Sequence, residues 1–276
     1  MIHGIALLAA AALAGGTATH PKATAPPVVV VHARDFSYLA PKTIKAGAST
    51  FHLVNDGKQV HHLTIIKLEK GKTVADFAAA MKKPGPLPSW VSSVGGPNGV
   101  VPGASSDATL TLEAGNYALL CFVPSPGETA PHVMKGMVRA LTVLPGTSMA
   151  TEPAADVTVT LADYGFTIDK PLTPGHHQVR VENIAAQAHE VVLMELMPGK
   201  TIQDMNNWIN RDLMKGAPPG RPIGGMSNID KGRTGSFPVE LHPGHYGMIC
   251  FVPDGKDGKP HSMHGMTKEI DVAAKL

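Results

Sequence analysis

The sequence predicts an all-β fold in which two Greek-key β-sandwich domains follow one another, each with one inserted helix. Three observations lead to this prediction. Glycine (29) and proline (24) are frequent among the 276 residues, which favours short strands and turns over long helices. Runs of β-branched residues and of alternating apolar and polar residues recur along the chain. The whole pattern then occurs a second time, 128 residues further on.

The repeat is evident from matched residues. Asp35-Phe-Ser-Tyr38 returns as Asp163-Tyr-Gly-Phe166, and Cys121-Phe-Val-Pro124 returns as Cys250-Phe-Val-Pro253. The offset is 128 early in each copy and 129 later, a slip of one residue that indicates gene duplication. Because the period is too long for a solenoid, we predict two tandem domains. The predicted bounds are 28–145 for the first domain, 146–155 for the linker and 156–275 for the second domain.

Each copy is predicted to consist mostly of strands. Matching segments are β-branched or alternate in polarity: Val28–Ala33, Ser49–Asn55, Val157–Ala162 and His177–Asn183. One helix in each copy is predicted to begin at a capping-box signal, Thr73-Val-Ala-Asp76 or Thr201-Ile-Gln-Asp204. The second helix is expected to continue to Lys215. About seven short strands with one helix in a copy of this length are typical of a Greek-key sandwich.

The N-terminus predicts export. An apolar run over Ile5–Ala14 is followed by small residues, which indicates a signal peptide over 1–18 and then a flexible lead-in over 19–27. No Lys or Arg precedes the run, so an uncleaved anchor remains an alternative. Either way we expect the rest of the chain to lie outside the cytoplasm. If the signal is cleaved, we expect a periplasmic or secreted protein with no integral membrane span.

The charge balance limits the classes of partner. Lys and Arg total 24 and Asp and Glu total 22, for a net charge of +2, which predicts no nucleic-acid partner and no polybasic membrane patch. Hydrophobic residues make up 43%, which excludes a disordered chain. Two cysteines are too few for a disulfide scaffold.

Four side chains that can bind a metal recur in the same order in both copies. They are His61, Cys121, His132 and Met137 in the first copy, and His189, Cys250, His261 and Met266 in the second. Two imidazoles and a thiolate with a weak axial thioether are the ligands of a blue, or type 1, copper site. The sulfur ligands suit Cu(I) and imidazole suits both oxidation states, so the pattern predicts one copper ion per domain that cycles between Cu(I) and Cu(II).

These motifs resemble those of the cupredoxins. The resemblance covers 28–144 and 157–272, and it is carried by the Asn-x5-His strand end, the Gly-x-Tyr-x3-Cys strand and the closing His-x4-Met. It implies a cupredoxin-like sandwich whose ligands are the eight residues above, an electron-transfer function outside the cytoplasm and a redox partner protein. By the same analogy, electrons would pass through the exposed loop imidazoles of His132 and His261.

The sequence departs from the cupredoxin pattern in two places. The loop between Cys and the second His holds ten residues, where the family usually has a few. The position after the first His, often an Asn that braces the Cys loop, is His62 in one copy and Glu190 in the other. Copper sequestration or delivery without a carrier role is therefore an alternative. The paired His-x-His and His-Cys-His motifs of multicopper oxidases do not occur, so we predict that the chain is not an enzyme.

Simpler interpretations exist for several of these residues. Cys121 and Cys250 could form a disulfide, but the equivalent loops of two domains would then have to meet within about 7 Å. They could also be inert buried thiols, and the sandwich a metal-free interaction module. We expect Met134, Met263, Phe36 and Tyr164 to be core residues. We expect His62 and His264, which have no counterpart, to be peripheral.

Overall fold

The chain forms two large β-sheets with an apolar core between them. The structure is a computed structural model that describes residues 24–83, 85, 87–146 and 148–274. The predicted signal peptide and residues 19–23 of the lead-in lie outside the described residues. The all-β sandwich prediction is confirmed, because helix is confined to short segments in the described part of the chain.

The two copies contribute matching strands to these sheets. In the first copy they are β1 (Val28–Arg34), β2 (Ser37–Leu39), β3 (Thr43–Lys45), β4 (Gly47–Asn55), β5 (Thr64–Leu68), β6 (Val91–Gly95), β7 (Ser105–Leu112), β8 (Gly115–Leu120) and β9 (Val138–Leu144). In the second copy they are β10 (Val157–Ala162), β11 (Gly165–Ile168), β12 (Gly175–Asn183), β13 (His189–Leu196), β14 (Gly220–Ile229), β15 (Thr234–Leu241), β16 (Gly244–Ile249) and β17 (Thr267–Val272). The described strands leave 145–156 between the copies, and the predicted domain bounds stay a prediction.

Each sheet runs through both copies. One sheet has the order β11-β10-β12-β15-β7-β4-β1-β2, and the other has the order β17-β16-β13-β14-β6-β5-β8-β9-β3. The copies join edge to edge, where β14 pairs with β6 and β15 pairs with β7, both antiparallel. Edges that would be open in a single sandwich are paired here, which removes a site for unwanted strand addition.

The junction has approximate two-fold symmetry. Pro97 pairs with Met226, which holds the same position in the second copy. Two flanking pairs, Val100 with Ile223 and Val94 with Ile229, are related to each other by the same symmetry. Val100 is equivalent to Ile229, and Val94 is equivalent to Ile223. Apolar residues from both sides, among them Val94 and Ile229, belong to one continuous buried cluster. The copies therefore share a core across the junction.

Next to the junction, one glycine in each copy permits a close approach to the backbone of a neighbouring segment of the same copy. Gly96 and Gly225 have positive φ angles of 145° and 115°, and a Cβ on either would lie 2.0 Å from a backbone carbonyl oxygen, that of Leu63 or Val191. We predict that Gly96→Ala lowers the free energy of unfolding, measured in urea, by about 3 kcal/mol, because it adds backbone strain and displaces the opposing strand. Gly103→Ala is the control, since Gly103 also has a positive φ but nothing within 4 Å. Equal losses in the two variants would contradict this explanation.

Each copy has one α-helix, and both begin as predicted. Helix α1 (Val74–Ala80) and helix α2 (Ile202–Asn210) start with complete capping boxes at Thr73 and Thr201. Helix α2 ends at Asn210 and does not reach Lys215, because Leu213 and Met214 adopt left-handed backbone angles that end the helix. No helix in the described part of the chain has the length and apolar character of a membrane span.

Candidate metal centres

The antiparallel pairing of two strands brings the first His and the Cys together. In the first copy, Thr64 of β5 pairs with Leu120 of β8, so His61, shortly before β5, meets Cys121, directly after β8. The second copy repeats this arrangement with β13 and β16, where Val192 pairs with Ile249. The second His begins a short 3₁₀ turn, His132–Lys135 or His261–His264, that follows the Cys loop.

Three of the four predicted ligands converge in the first copy. The Sγ of Cys121 lies 3.9 Å from Nδ1 of His61 and 3.5 Å from Nδ1 of His132, and the two nitrogens are 3.2 Å apart. A triangle with these sides has a point about 2.1 Å from each corner, close to the bond lengths of about 2.0–2.3 Å that metals such as zinc make with imidazole and thiolate. The donor set therefore fits one metal ion.

The second copy has the same arrangement. The Sγ of Cys250 lies 3.8 Å from Nδ1 of His189 and 3.5 Å from Nδ1 of His261. All six side chains in the two clusters are completely buried, and both cysteines are free, which excludes the disulfide interpretation. The structure thus forms two separate His/Cys/His clusters, one in each copy.

Burial keeps the nitrogen ligands neutral. It lowers the pKa of His132 and of His261 to about 4, and the neighbouring imidazole in each cluster adds to this effect. Burial also raises the pKa of the Cys121 thiol to about 11 and raises that of the Cys250 thiol further, so each thiol is protonated in the metal-free protein. A metal that binds here finds neutral imidazoles and must displace the thiol proton.

A carboxylate orients the first His of each cluster. Asp35 Oδ1 lies 3.0 Å from Nε2 of His61, and Asp163 Oδ1 lies 3.1 Å from Nε2 of His189. Since the carboxylate accepts, the proton of each ring sits on Nε2, and the Nδ1 lone pair is free for a metal. This role was not predicted from the sequence, although the two aspartates open the most evident repeat motif.

We predict that Asp163→Asn weakens copper binding by about 10–100-fold, because the ring loses the acceptor that orients it and increases its basicity. Competition with a chelator of known affinity measures the change. Asp212→Asn, at an exposed residue in the turn after α2, should bind copper as the wild type does. Unchanged affinity in Asp163→Asn would show that the carboxylate does not support the site.

The ten-residue loops form side hairpins that cover the second His. Pro124 pairs with Pro131, and Pro253 pairs with Pro260, which closes each loop next to the Cys and leaves its tip outside. In the first copy, the ring Nε2 of His132 lies 3.1 Å from Oε1 of Gln59 and 3.3 Å from Oγ of Ser125. The expectation that the loop imidazoles are exposed is therefore wrong.

The residue after the first His does brace the Cys loop. The amide of Phe122 donates to Nε2 of His62 at 2.7 Å, and the amide of Phe251 donates to Oε1 of Glu190 at 3.0 Å. Both side chains are buried, so the interpretation of His62 as peripheral is wrong. Two different side chains thus make the same bond beside the two cysteines.

The two matched methionines in each 3₁₀ region differ in burial. Met137 and Met266 are completely buried, and their carbonyl oxygens accept from the amides of Cys121 and Cys250. Whether their thioethers complete the ligand sets stays a prediction. Met134 and Met263 are 47% and 52% exposed, so the expectation that they lie in the core is wrong.

An aromatic ring covers each cluster. Phe36 lies edge-on to His132, with ring centroids 5.2 Å apart, and Tyr164 lies edge-on to His261 at 5.6 Å. Both residues have left-handed backbone angles, with φ of 66° and 63°, and both are half-buried. They shield the imidazoles from solvent. The prediction that they are core residues is not met, since both are only half-buried and Tyr164 packs against the core from outside it.

Among solved structures, the chain is similar to several copper proteins. No family model matches the chain, and no protein with a curated description matches it. Reduced auracyanin from the photosynthetic bacterium Roseiflexus castenholzii is 25% identical over 44% of this chain and 100% of that chain, with a TM-score of 0.30. A multicopper oxidase is 12% identical over 89% of this chain and 88% of that chain, with a TM-score of 0.26. A copper-containing nitrite reductase from Thermus scotoductus SA-01 is 12% identical over 89% of this chain and 61% of that chain, with a TM-score of 0.24.

The comparisons correct one prediction. We predicted that the chain is not an enzyme, from the absence of the paired His motifs. The matched structures that extend over both copies are named as an oxidase and a reductase, and a blue copper oxidase from Nitrosomonas europaea also covers 88% of the chain. The prediction is therefore wrong.

The strand arrangement and the clusters support a common conclusion. Each copy takes one His from the start of an early strand and its Cys and second His from the last loop, as the cupredoxin resemblance implies. The second copy repeats this arrangement in every element but β3. The chain therefore has a cupredoxin-like fold, used twice, and each copy holds a candidate copper site of the type 1 kind.

Proposed function

We propose that the chain binds one copper ion in each copy and transfers single electrons through these ions. The observation that supports the proposal most directly is the assembled triangle of two Nδ1 atoms and one Sγ. Copper, when bound, supplies a one-electron couple that both donor types can serve.

The protein's own groups suit such a couple. Asp35 and Asp163 hold the first imidazole of each cluster in one tautomer, and the bonds from Phe122 and Phe251 hold the Cys loops. Water is excluded, because every His and Cys in the clusters is completely buried. A donor set fixed in this way changes little in geometry when the charge at its centre changes, which favours fast electron transfer.

We propose that a redox partner protein docks beside the aromatic covers, outside the cytoplasm. Because His132 and His261 are buried, the groups next to them that reach the surface are Phe36 and Met134 in one copy and Tyr164 and Met263 in the other.

The test is to load the purified chain with Cu(II) and record absorption, electron paramagnetic resonance and voltammetry. We expect two ions per chain, an intense thiolate-to-copper band and reversible one-electron reduction. A folded, copper-loaded protein without that band would contradict the type 1 proposal, and one with the band but no reversible reduction would contradict electron transfer.

One observation favours copper sequestration or delivery as a second candidate function. Met134 and Met263 place a soft thioether at the surface between two predicted ligands in each copy. If these side chains admit or release Cu(I), replacing both with leucine should slow copper transfer to a chelator several-fold and leave the absorption band unchanged. An unchanged transfer rate would remove the support for this candidate.

A further inference from the structure

The surroundings of the two clusters differ in charge at equivalent positions. The residue of the loop hairpin next to the second His is Ser125 in the first copy and Asp254 in the second. The residue at the end of the 3₁₀ turn is Lys135 in the first copy and His264 in the second. The ligands themselves are the same, so these differences can make the two sites unequal, together with His62 in the first copy and Glu190 at the equivalent position in the second.

The second cluster has a carboxylate against its loop imidazole. Asp254 is 3% exposed, and its Oδ2 lies 3.6 Å from Nε2 of His261. The hydroxyl of Tyr164 and the side-chain amide of Gln187 both donate to the same oxygen, as they can to a carboxylate. His264, at the end of the turn, pairs with Asp257 at 3.1 Å.

The first cluster has a cation near the equivalent position. The ammonium of Lys135 donates to Oγ of Ser125 at 2.8 Å, and Ser125 Oγ lies against Nε2 of His132. Lys135 also pairs with Glu128 at 2.7 Å, but Glu128 is half-exposed and screened by water. Asp35 and Asp163 place the same carboxylate beside the first His of both clusters. Beside the second His, the nearest charge is thus positive in the first copy and negative in the second.

A buried charge next to a metal site acts differently on the two oxidation states. Oxidation adds one positive charge, so a nearby carboxylate favours the oxidised state and a nearby ammonium favours the reduced state. The interaction is strong where water is excluded, as it is at Asp254. The second site should therefore be the harder of the two to reduce.

The junction links the sites through buried bonds. The side-chain amide of Asn98 donates to Oε2 of Glu190 at 3.1 Å, and Glu190 follows the ligand His189 directly. The carbonyl of Pro97, next to Asn98, accepts from the amide of Leu63 at 2.9 Å, two residues after the ligand His61. Two hydrogen bonds and short covalent segments thus connect the first His of one cluster to that of the other.

We infer that the two sites have different reduction potentials, lower in the second copy because of Asp254, and that an electron on the second site moves to the first through Asn98. This inference rests on the proposed function. His189, Cys250 and His261 would hold the copper that gives up the one electron, and His61, Cys121 and His132 would hold the copper that receives it, so no other reactant would be consumed. The direction of transfer is set by the protein, since the ligands are the same.

The first experiment is a reductive titration of the copper-loaded chain. The sites are distinguished by which backbone amide signal Cu(II) broadens in the NMR spectrum, that of Phe122 or that of Phe251. We expect the first site to be reduced first, with at least a tenfold preference, which corresponds to about 59 mV for a one-electron couple. Equal midpoints or the reverse order would overturn the inference. Absence of copper reduction altogether would instead count against the proposed function.

Two matched variants test the cause, and a third tests the path. Asp254→Asn should make the second site easier to reduce, and Ser125→Asp should make the first site harder to reduce. Asp257→Asn is the control and should change the preference for reducing the first site by less than twofold.

Asn98→Ser, which introduces the residue found at the equivalent position 227, tests the path. It should slow electron transfer between the sites at least tenfold after pulsed reduction and leave both midpoint potentials unchanged. An unshifted midpoint in Asp254→Asn would overturn the assigned cause, and an unchanged rate in Asn98→Ser would overturn the path.

Discussion

Replacing Cys250 with serine is expected to remove the second copper site and leave the first intact. The Sγ of Cys250 is the only sulfur within reach of both imidazole nitrogens that the described contacts show, at 3.8 and 3.5 Å. A serine hydroxyl stays protonated at neutral pH and is a poor ligand for Cu(I), so the cluster loses its soft, charged donor. Copper content should fall from two ions to one per chain, and the thiolate-to-copper absorption should fall by about half.

The remaining variants make this prediction specific. Cys121→Ser should remove the other half of the absorption, and the double variant should lose it entirely. Met263→Leu is a matched control, since Met263 lies in the same turn but is 52% exposed and is not a predicted ligand. Two bound ions with full absorption in Cys250→Ser would show that this sulfur does not bind the metal.

The ligand clusters could be predicted from the sequence because the same residues occur at the same spacing in both copies of the repeat. A lone His or Cys has many uses, but His61, Cys121 and His132 recur with their spacing preserved at His189, Cys250 and His261. The structure brings each of these sets together. The strands that hold them were also predictable, since β-branched and alternating segments mark both copies.

Interactions that depend on approach in three dimensions could not be predicted in this way. Asp35 stands 26 residues before His61, and only the fold places its carboxylate on the ring. The exposure of Met134 and the burial of His132 depend on how the loop hairpin folds back, which spacing alone does not determine. The junction was also missed, because the pairing of β6 with β14 and of β7 with β15 depends on strands from opposite copies.

Removing copper is expected to make the fold sensitive to mild acid. Burial lowers the pKa of three imidazoles, His62, His132 and His261, to about 4, against an ordinary value of 6.5. The unfolded chain therefore binds these protons at a higher pH than the folded chain does, and stability is lost as pH falls from about 6.5 towards about 4. Glu190 opposes this, because burial raises its pKa to about 7, and its protonation as pH falls stabilises the folded state.

Burial also lowers the pKa of His61 and of His189, so the net effect is that of at least about two protons. Each contributes a slope of up to about 1.4 kcal/mol per pH unit, so the metal-free protein should lose at least about 2.7 kcal/mol per unit between pH 6.5 and pH 4.5. A total stability of about 5–15 kcal/mol is usual for a domain, so this loss is enough to unfold a marginal protein. Carboxylates held ionised in the fold, such as Asp35 and Asp163, add their losses only at lower pH.

Urea unfolding of the chelator-treated chain, followed by tryptophan fluorescence at several pH values, measures this slope. His62→Gln should reduce it by about 1.4 kcal/mol per pH unit, because one shifted imidazole is removed without loss of a predicted ligand. His176→Gln is the control, since the His176 side chain is 67% exposed. Copper should flatten the profile, because bound ligands cannot take up protons and the metal stabilises the folded state in proportion to its affinity. Metal-free protein that is as stable at pH 5 as at pH 7 would show that burial does not hold these imidazoles neutral. The clusters would then not offer unprotonated nitrogens to a metal in mild acid.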